Sequence, residues 1–309
     1  MKYRRLGSTE LPVSVVGIGT WQFGGEWGRD YEATEVRDIL ERARELGINL
    51  LDTAECYGDH VSERLIGEAI EGRREEWIVA TKFGHRYLGD FRRDQLWSAD
   101  EVLRQLDASL DALRTDYVDI YQFHSGTNEV FDDPELWQAL AEQVEAGRIR
   151  HLGISISKAV EDDHQAGRAR AVGAAAIQVL YNRLDRAAEQ HVFPACQIDD
   201  LGVLARVPLA SGYLSGKYRP DATFEASDVR SRHDRAEVQR TLAEAERIGR
   251  EEVPEGLDMA TWALAWCLLH PAVTCVIPGC KSVEQVEANA KVAELDMVRA
   301  DHPQAVAGA

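Results

Sequence analysis

Short apolar runs of strand length alternate with amphipathic helical stretches along the whole chain, and no Pro/Gly/Ser-rich linker or low-complexity tract interrupts them. The apolar runs fall at 15–19, 48–52, 77–84, 117–124, 149–154, 175–180, 202–206 and 274–277. Between them lie helical patterns at 33–46, 64–70, 99–113, 134–146, 235–252 and 259–269, several carrying their own stop or start signals. Gly47 and Gly147 follow two of these helices, Pro134 opens one, and Ser98 with Glu101 has the spacing of a capping box. A chain of 309 residues, 45% hydrophobic, could build two ordinary domains or one barrel. The repetition decides for the second. The pattern predicts an α/β protein, a single (β/α)8 TIM-barrel domain over 1–309. Residues 3–6 and 11–13, flanking Gly7-Ser8-Thr9, read as a β-hairpin across the barrel floor.

Three of the strand ends carry chemistry. The stretch INLLDTAECYG ends an apolar run in Asp52 and presents Tyr57 on the following loop, WIVATKFG places Lys82 near a second strand end, and YVDIYQFH ends in His124. In a parallel barrel every C-terminal strand end lies on one rim, so acid, phenol, amine and imidazole converge without being near in sequence. Any one alone reads as a local cap or a solvent contact, but four on one rim read as a site. Ser155 ends the fifth strand, and Gln178 is a polar residue inside the apolar sixth. The Gly/Ser-rich loop PLASGYLSGKY with Lys217 offers free backbone N–H groups to a phosphate. Lys281 and Ser282 open a helix, where unpaired N–H groups and the dipole favour an anion.

The formal charge of −18 disfavours nucleic acid and anionic membrane as partners. Five scattered cysteines with no CxxC pair suit a reducing compartment. The N-terminus does not continue into an apolar signal core, and no apolar run approaches the roughly 20 residues that span a bilayer. A soluble cytoplasmic protein without a membrane partner is expected. No HxH, HExxH or CxxC spacing occurs, so no metal site is expected.

The segments DTAECYG, TKFG, QFH, GIS, IQVLYN, PLASGYLSGKY and IPGCKSVEQVEAN, in this order, resemble the aldo-keto reductase superfamily over essentially the whole chain. LGSTELPVSVVGIGTWQFGG and the PLASGYLSGK loop are similar to its bacterial and plant-type branch, related to reductases that resemble potassium-channel beta subunits. The resemblance implies NADP-dependent reduction of aldehydes or ketones, or oxidation of sugars and alcohols in reverse. It implies Tyr57 as general acid, Lys82 as its activator, Asp52 as partner of Lys82 and His124 as the group orienting the carbonyl. Ser155 and Gln178 would hold the nicotinamide carboxamide, with Gly19, Thr20, Trp21 and Asp52 nearby. Pro208, Leu209, Ser211, Gly212, Leu214, Ser215 and Lys217 would wrap the pyrophosphate, and Gly279, Lys281, Ser282, Gln285 and Asn289 would surround the adenosine end. Trp21, Trp27, Tyr57 and His124 would frame the pocket for a small carbonyl or sugar substrate.

These roles also make physical sense. Hydride addition to a carbonyl builds negative charge on oxygen, which calls for a proton donor aimed at it. A nearby ammonium can pull a phenol's pKa down by roughly 1–3, so Lys82 is expected to bring Tyr57 toward working pH. Two positions depart from the family pattern. Arg206 stands where many relatives stack a tyrosine on the nicotinamide, and Gln285 where many place an arginine, which leaves Lys281 as the chief counterion for a 2′-phosphate; NADPH is preferred, with NADH use open. An alternative is a nucleotide-binding regulatory or redox-sensing subunit with little turnover. A barrel isomerase or hydrolase using the same rim is a third reading. The sequence does not indicate the oligomeric state.

Overall fold

In the computed structural model, which describes residues 1–157 and 163–306, eight parallel strands form one sheet that closes on itself. The strands, with those of two hairpins, are β1 (Tyr3–Arg5), β2 (Pro12–Ser14), β3 (Ile18–Gly19), β4 (Leu50–Asp52), β5 (Ile78–Phe83), β6 (His85–Tyr87), β7 (Arg93–Gln95), β8 (Val118–His124), β9 (Ile149–Ser155), β10 (Ala174–Leu180), β11 (Gly202–Arg206) and β12 (Cys275–Ile277). The barrel runs β3-β4-β5-β8-β9-β10-β11-β12. Parallel bridges Val16↔Val276 and Gly19↔Gly279 join its last strand to the entry and exit of its first. Amphipathic helices such as Ala33–Glu45, Ala99–Leu113 and Arg235–Glu251 cover the outside.

The two-residue alternation of strand side chains sorts residues between the two sides of the barrel wall. Leu51, Val79, Phe83, Tyr121, Phe123, Ile177, Val179, Val203 and Ala205 join the large outer core under the helices. The intervening Leu50, Ile78, Ala80, Ile120, Ala176 and Leu204 form a separate cluster. Leu6 and Val13 of the β1–β2 hairpin pack into this second cluster, so the hairpin plugs the barrel floor as expected. Each fully buried Leu or Ile here contributes about 1.5–3 kcal/mol. Continuing the same alternation upward, Asp52 follows Leu50, Lys82 follows Ala80, Gln122 and His124 follow Ile120, Gln178 follows Ala176 and Arg206 follows Leu204. The barrel interior is therefore apolar at the floor and polar at the rim.

The predicted helix 99–113 and strand 202–206 match, and most other boundaries fall within one to three residues. One element was not anticipated. Immediately after β5 the chain turns at Gly84, whose φ of +118° places the Trp97 ring where any side chain would stand. It then forms the antiparallel β6–β7 hairpin. Among the described residues, no helix is long and apolar enough to cross a membrane.

Candidate active site

Asp52, Tyr57, Lys82 and His124 meet at the rim. Lys82 is fully buried, and its ammonium lies 2.9 and 3.1 Å from the two Asp52 carboxylate oxygens. It also donates to the Thr53 carbonyl at 2.6 Å and to the Tyr57 hydroxyl at 3.3 Å. The Asp52 carboxylate accepts further bonds from Gln178 Nε2 at 2.6 Å and Gln122 Nε2 at 3.4 Å. Tyr57 reaches this point because its loop is pinned at Gly58 (φ +66°). A Cβ on Gly58 would come within 2.5 Å of the Gly24 carbonyl. The Trp21 ring stacks over Tyr57 at 6.0 Å, and the Tyr57 and His124 rings meet edge-on at 6.4 Å.

The electrostatics differ in one respect from the sequence expectation. Burial pushes the Tyr57 hydroxyl up to about 12, with Lys82 pulling it back and Asp52 pushing it further up. Burial outweighs the pull of Lys82, and the Asp52 carboxylate beside Lys82 offsets part of that pull. Burial alone would lower Lys82, but Asp52 and then Tyr57 hold it charged, above its ordinary value. Burial, followed by Lys82 and His85, holds His124 well below the usual imidazole range, so the ring is neutral. Its Nδ1 faces Cys56 Sγ at 3.9 Å, and burial keeps that thiol protonated. Glu55 Oε1 also faces Nδ1, at 3.6 Å, and in the tautomer where Nδ1 accepts from the thiol the ring proton sits on Nε2.

Asp52, Cys56, Tyr57 and His124 border a cavity of about 740 Å³, within the usual range for small-molecule sites. Gly19, Thr20, Trp21, Trp27, Ser155, Gln178, Arg206, Pro208, Leu209, Ser211, Gly212, Ser215, Lys217, Gly279, Lys281, Gln285 and Asn289 all border it as well. Ser155 donates to Gln178 Oε1 at 3.3 Å, which fixes the amide between Ser155 and Asp52. The 3-10 segment Ala210–Ser215 turns through positive φ at Ala210, Ser211 and Gly212 and lines the middle of the cavity. At the far end Lys281 Nζ donates to the Trp27 carbonyl at 3.2 Å and lies 5.2 Å from that ring's centroid. Gln285 Oε1 accepts from Lys281 N at 2.9 Å.

Three expected site residues stand apart. Leu214 is fully buried in a cluster with Ala245, Ile248, Trp262 and Ala263, so its side chain belongs to the core. Ser282 is committed as a helix cap, its Oγ accepting from Gln285 N at 3.4 Å. Lys82 sits behind Tyr57 instead of on the cavity wall. Arg206 is tied to backbone, Nη2 donating to the Ile156 and Ser157 carbonyls at 3.0 and 2.8 Å.

Other residues on or beside the cavity were missed. The β6–β7 hairpin carries His85 and Arg93 to the rim. Arg93 pairs with buried Glu26 at 2.6 Å, and Glu26 also accepts from Trp21 Nε1 at 2.6 Å. The hairpin's strands, HRY and RDQ, are polar, and only the intervening Gly89-Asp90 signals a turn. Arg230, from the segment between β11 and the helix Arg235–Glu251, pairs with Asp228 at 2.6 Å and donates to Tyr218 at 2.9 Å. The bridge Trp27↔Asp228 and the Val229 N–H on Glu26 O at 3.2 Å join that segment to the loop after β3.

The profile of the Aldo/keto reductase family matches residues 15–306. An uncharacterized oxidoreductase of Bacillus subtilis, YqkF, is 32% identical over 295 residues, covering 95% of this chain and 91% of that protein. The holo form of the aldo-keto reductase AKR11C1 from Bacillus halodurans superimposes with a TM-score of 0.78 at 32% identity, covering 96% of this chain and 91% of that one. An NADH-specific methylglyoxal reductase of Escherichia coli is 29% identical, covering 97% of this chain and 96% of that protein.

Proposed function

Since the chain belongs to the aldo/keto reductase family, we propose that it is an NAD(P)H-dependent oxidoreductase. On this reading it reduces aldehydes or ketones to alcohols, or oxidises sugars and alcohols in reverse, with Tyr57 as general acid. The observation that carries this reading is the 3.3 Å contact between the Tyr57 hydroxyl and the Lys82 ammonium, itself held on Asp52 and set beside His124 on the cavity rim.

A nicotinamide dinucleotide fits the residues present. Gln22 Oε1 and Arg206 Nε are buried with no hydrogen-bond partner among the described residues, and both side chains border the cavity. Such groups are left for a ligand or ordered water to satisfy. Ser155 and Gln178 would hold the carboxamide, beside Gly19, Thr20, Trp21 and Asp52. Residues 208–217 would follow the pyrophosphate, and Gly279, Lys281, Gln285 and Asn289 would take the adenosine end. The bound cofactor supplies the hydride. The protein's own part is proton delivery and charge stabilisation. Tyr57, protonated at any working pH, donates to the carbonyl oxygen as negative charge develops there, and the Lys82 ammonium steadies the resulting phenolate. Asp52 keeps Lys82 charged in a site where burial works against it. Neutral His124 donates a second hydrogen bond through Nε2, and Trp21 and Trp27 flank the substrate. Five unpaired, buried cysteines suit a cytoplasmic setting.

The Escherichia coli relative is specific for NADH, and cofactor choice in this chain turns on Lys281. Burial, followed by Arg230, lowers its pKa, as expected for an ammonium among other cations that gains from an added phosphate. In a fluorescence titration Lys281→Ala is expected to weaken NADPH by about 10–100-fold, the worth of one charge-assisted hydrogen bond. NADH affinity stays nearly unchanged. Equal losses for both nucleotides would remove Lys281 from 2′-phosphate recognition. No binding of either by the unaltered protein would end the oxidoreductase reading.

A further inference from the structure

Beside the Tyr57–Lys82–Asp52 group stands a second constellation that catalysis does not use in full. Glu55, Cys56 and His124 bring one carboxylate, one thiol and one imidazole together, each offering a ligand atom within 4.8 Å of the others. His124 Nδ1 is 3.9 Å from Cys56 Sγ and 3.6 Å from Glu55 Oε1. A tetrahedral zinc with bonds of about 2.0–2.3 Å holds its ligand atoms roughly 3.3–3.6 Å apart. The two pairs to Nδ1 are thus within a few tenths of an ångström of a closed coordination sphere, and no pair is more than about 1.5 Å too wide, a gap that closes as the metal binds.

Glu55 gives the second, independent sign of a ligand. It is only 2% exposed, and no arginine or lysine forms an ion pair with it among the described residues. One of its oxygens, Oε1, accepts from the His85 backbone N–H at 2.9 Å. The other, Oε2, is buried with no hydrogen-bond partner among the described residues. An unmatched buried carboxyl oxygen is costly, and burial, partly offset by His85 and Lys82, raises the Glu55 pKa, so that the ionised form is favoured only when something positive reaches it. Arg93, on the cavity wall, is met by Glu26 through both carboxylate oxygens, at 2.6 and 2.8 Å, and also hydrogen-bonds Cys56, a contact that the thiol gives up when it binds the metal.

The geometry points to a binding site for a borderline-soft divalent cation, zinc or cobalt, formed by Glu55, Cys56 and His124 Nδ1. The set of one sulfur, one nitrogen and one oxygen donor selects such ions over magnesium or calcium, which take oxygen ligands. On binding, the Cys56 S–H bond gives up its proton to solvent and the sulfur lone pair takes the metal, while the Glu55 carboxyl, whose pKa burial raises, likewise releases any proton it holds and binds through oxygen. Nδ1 binds through the lone pair it now offers the thiol, so the ring keeps its Nε2 proton. Cys56 and His124 both border the cavity, so the fourth ligand is a cavity water. The ion has no part in the reductase chemistry proposed above. It binds on the Nδ1 side of His124, across the ring from the Nε2 assigned to the substrate carbonyl. Binding stands independently of the oxidoreductase reading. Nothing in the sequence spacing signals the site, because His124 lies 68 residues from Cys56.

Cobalt(II) titration of the full chain under reducing conditions tests the site through its thiolate-to-cobalt charge-transfer band. The expected result is one cobalt per chain with intense, tetrahedral-type visible absorption and a dissociation constant on the order of 1 μM. Cys56→Ser abolishes the charge-transfer band, Glu55→Gln weakens binding by about 10–100-fold, and Cys196→Ser changes neither. No charge-transfer band in the unaltered protein, or a band that survives Cys56→Ser, overturns the site. Should Cys56→Ser fail to fold, an unchanged affinity in Glu55→Gln overturns it equally.

Discussion

Replacing Tyr57 with phenylalanine is expected to leave nucleotide affinity unchanged while lowering turnover by about 10²–10⁴-fold, the range a positioned proton donor contributes. The substitution removes one oxygen and keeps the ring stacked at 6.0 Å on Trp21, so the cavity retains its shape. What disappears is the only hydroxyl in contact with Lys82 among the described residues. Steady-state rates with an aromatic aldehyde, beside a fluorescence titration of NADPH, separate the two effects. Undiminished turnover would take the proton-donor role from Tyr57. Lost nucleotide binding would mean that the ring, not the hydroxyl, is what the site needs.

The second large effect concerns Lys82. Lys82→Met leaves the Asp52 side chain, in a residue 4% exposed, hydrogen-bonded among the described residues only to the amides of Gln178 and Gln122. An uncompensated buried charge of this kind costs about 3–5 kcal/mol. The variant is therefore expected to unfold at a markedly lower denaturant concentration and to lose most activity. Adding Asp52→Asn removes the stranded charge, so the double variant recovers much of the stability, because replacing both members of a buried pair can be nearly neutral. Activity does not return, since Tyr57 still lacks its ammonium. Urea unfolding of the two variants beside the unaltered chain decides the matter. A Lys82→Met protein as stable as the parent would show that Asp52 does not depend on Lys82. A double variant with restored turnover would show that the pair has no chemical role.

The rim residues were legible because strand parity is simple. Asp52, Lys82, His124 and Gln178 sit two or four residues beyond inward-facing Leu50, Ala80, Ile120 and Ala176, so an apolar run ending in a polar residue already indicates which way that residue points. Loop and helix-start positions were less readable. Leu214 lies inside a glycine-rich segment that does border the cavity, yet the turn directs this one side chain into the core. Ser282 was equally well placed for an anion or for capping the helix Val283–Ala290, and in the structure it caps. The β6–β7 hairpin was missed because its strands are polar and sit above the rim, where no apolar pattern is required of them. With it went Arg93 and its pairing to Glu26. The ordering of charges was misjudged for a related reason. A lysine near a tyrosine brings its pKa below the ordinary value only where that pull exceeds the effect of burying the hydroxyl, and both the burial of Tyr57 and the 2.9 Å contact of Lys82 with Asp52 are facts of three dimensions.

The measurement that tests the central claim most directly is the fate of the transferred hydrogen. The protein is incubated with an aldehyde and NADPH carrying deuterium on the transferred face of C4, and the alcohol is examined by mass spectrometry. The account predicts one deuterium on the carbinol carbon, appearing at the rate of NADPH oxidation and largely lost with Tyr57→Phe. Bound NADPH that is never oxidised, or an alcohol without deuterium, would contradict it.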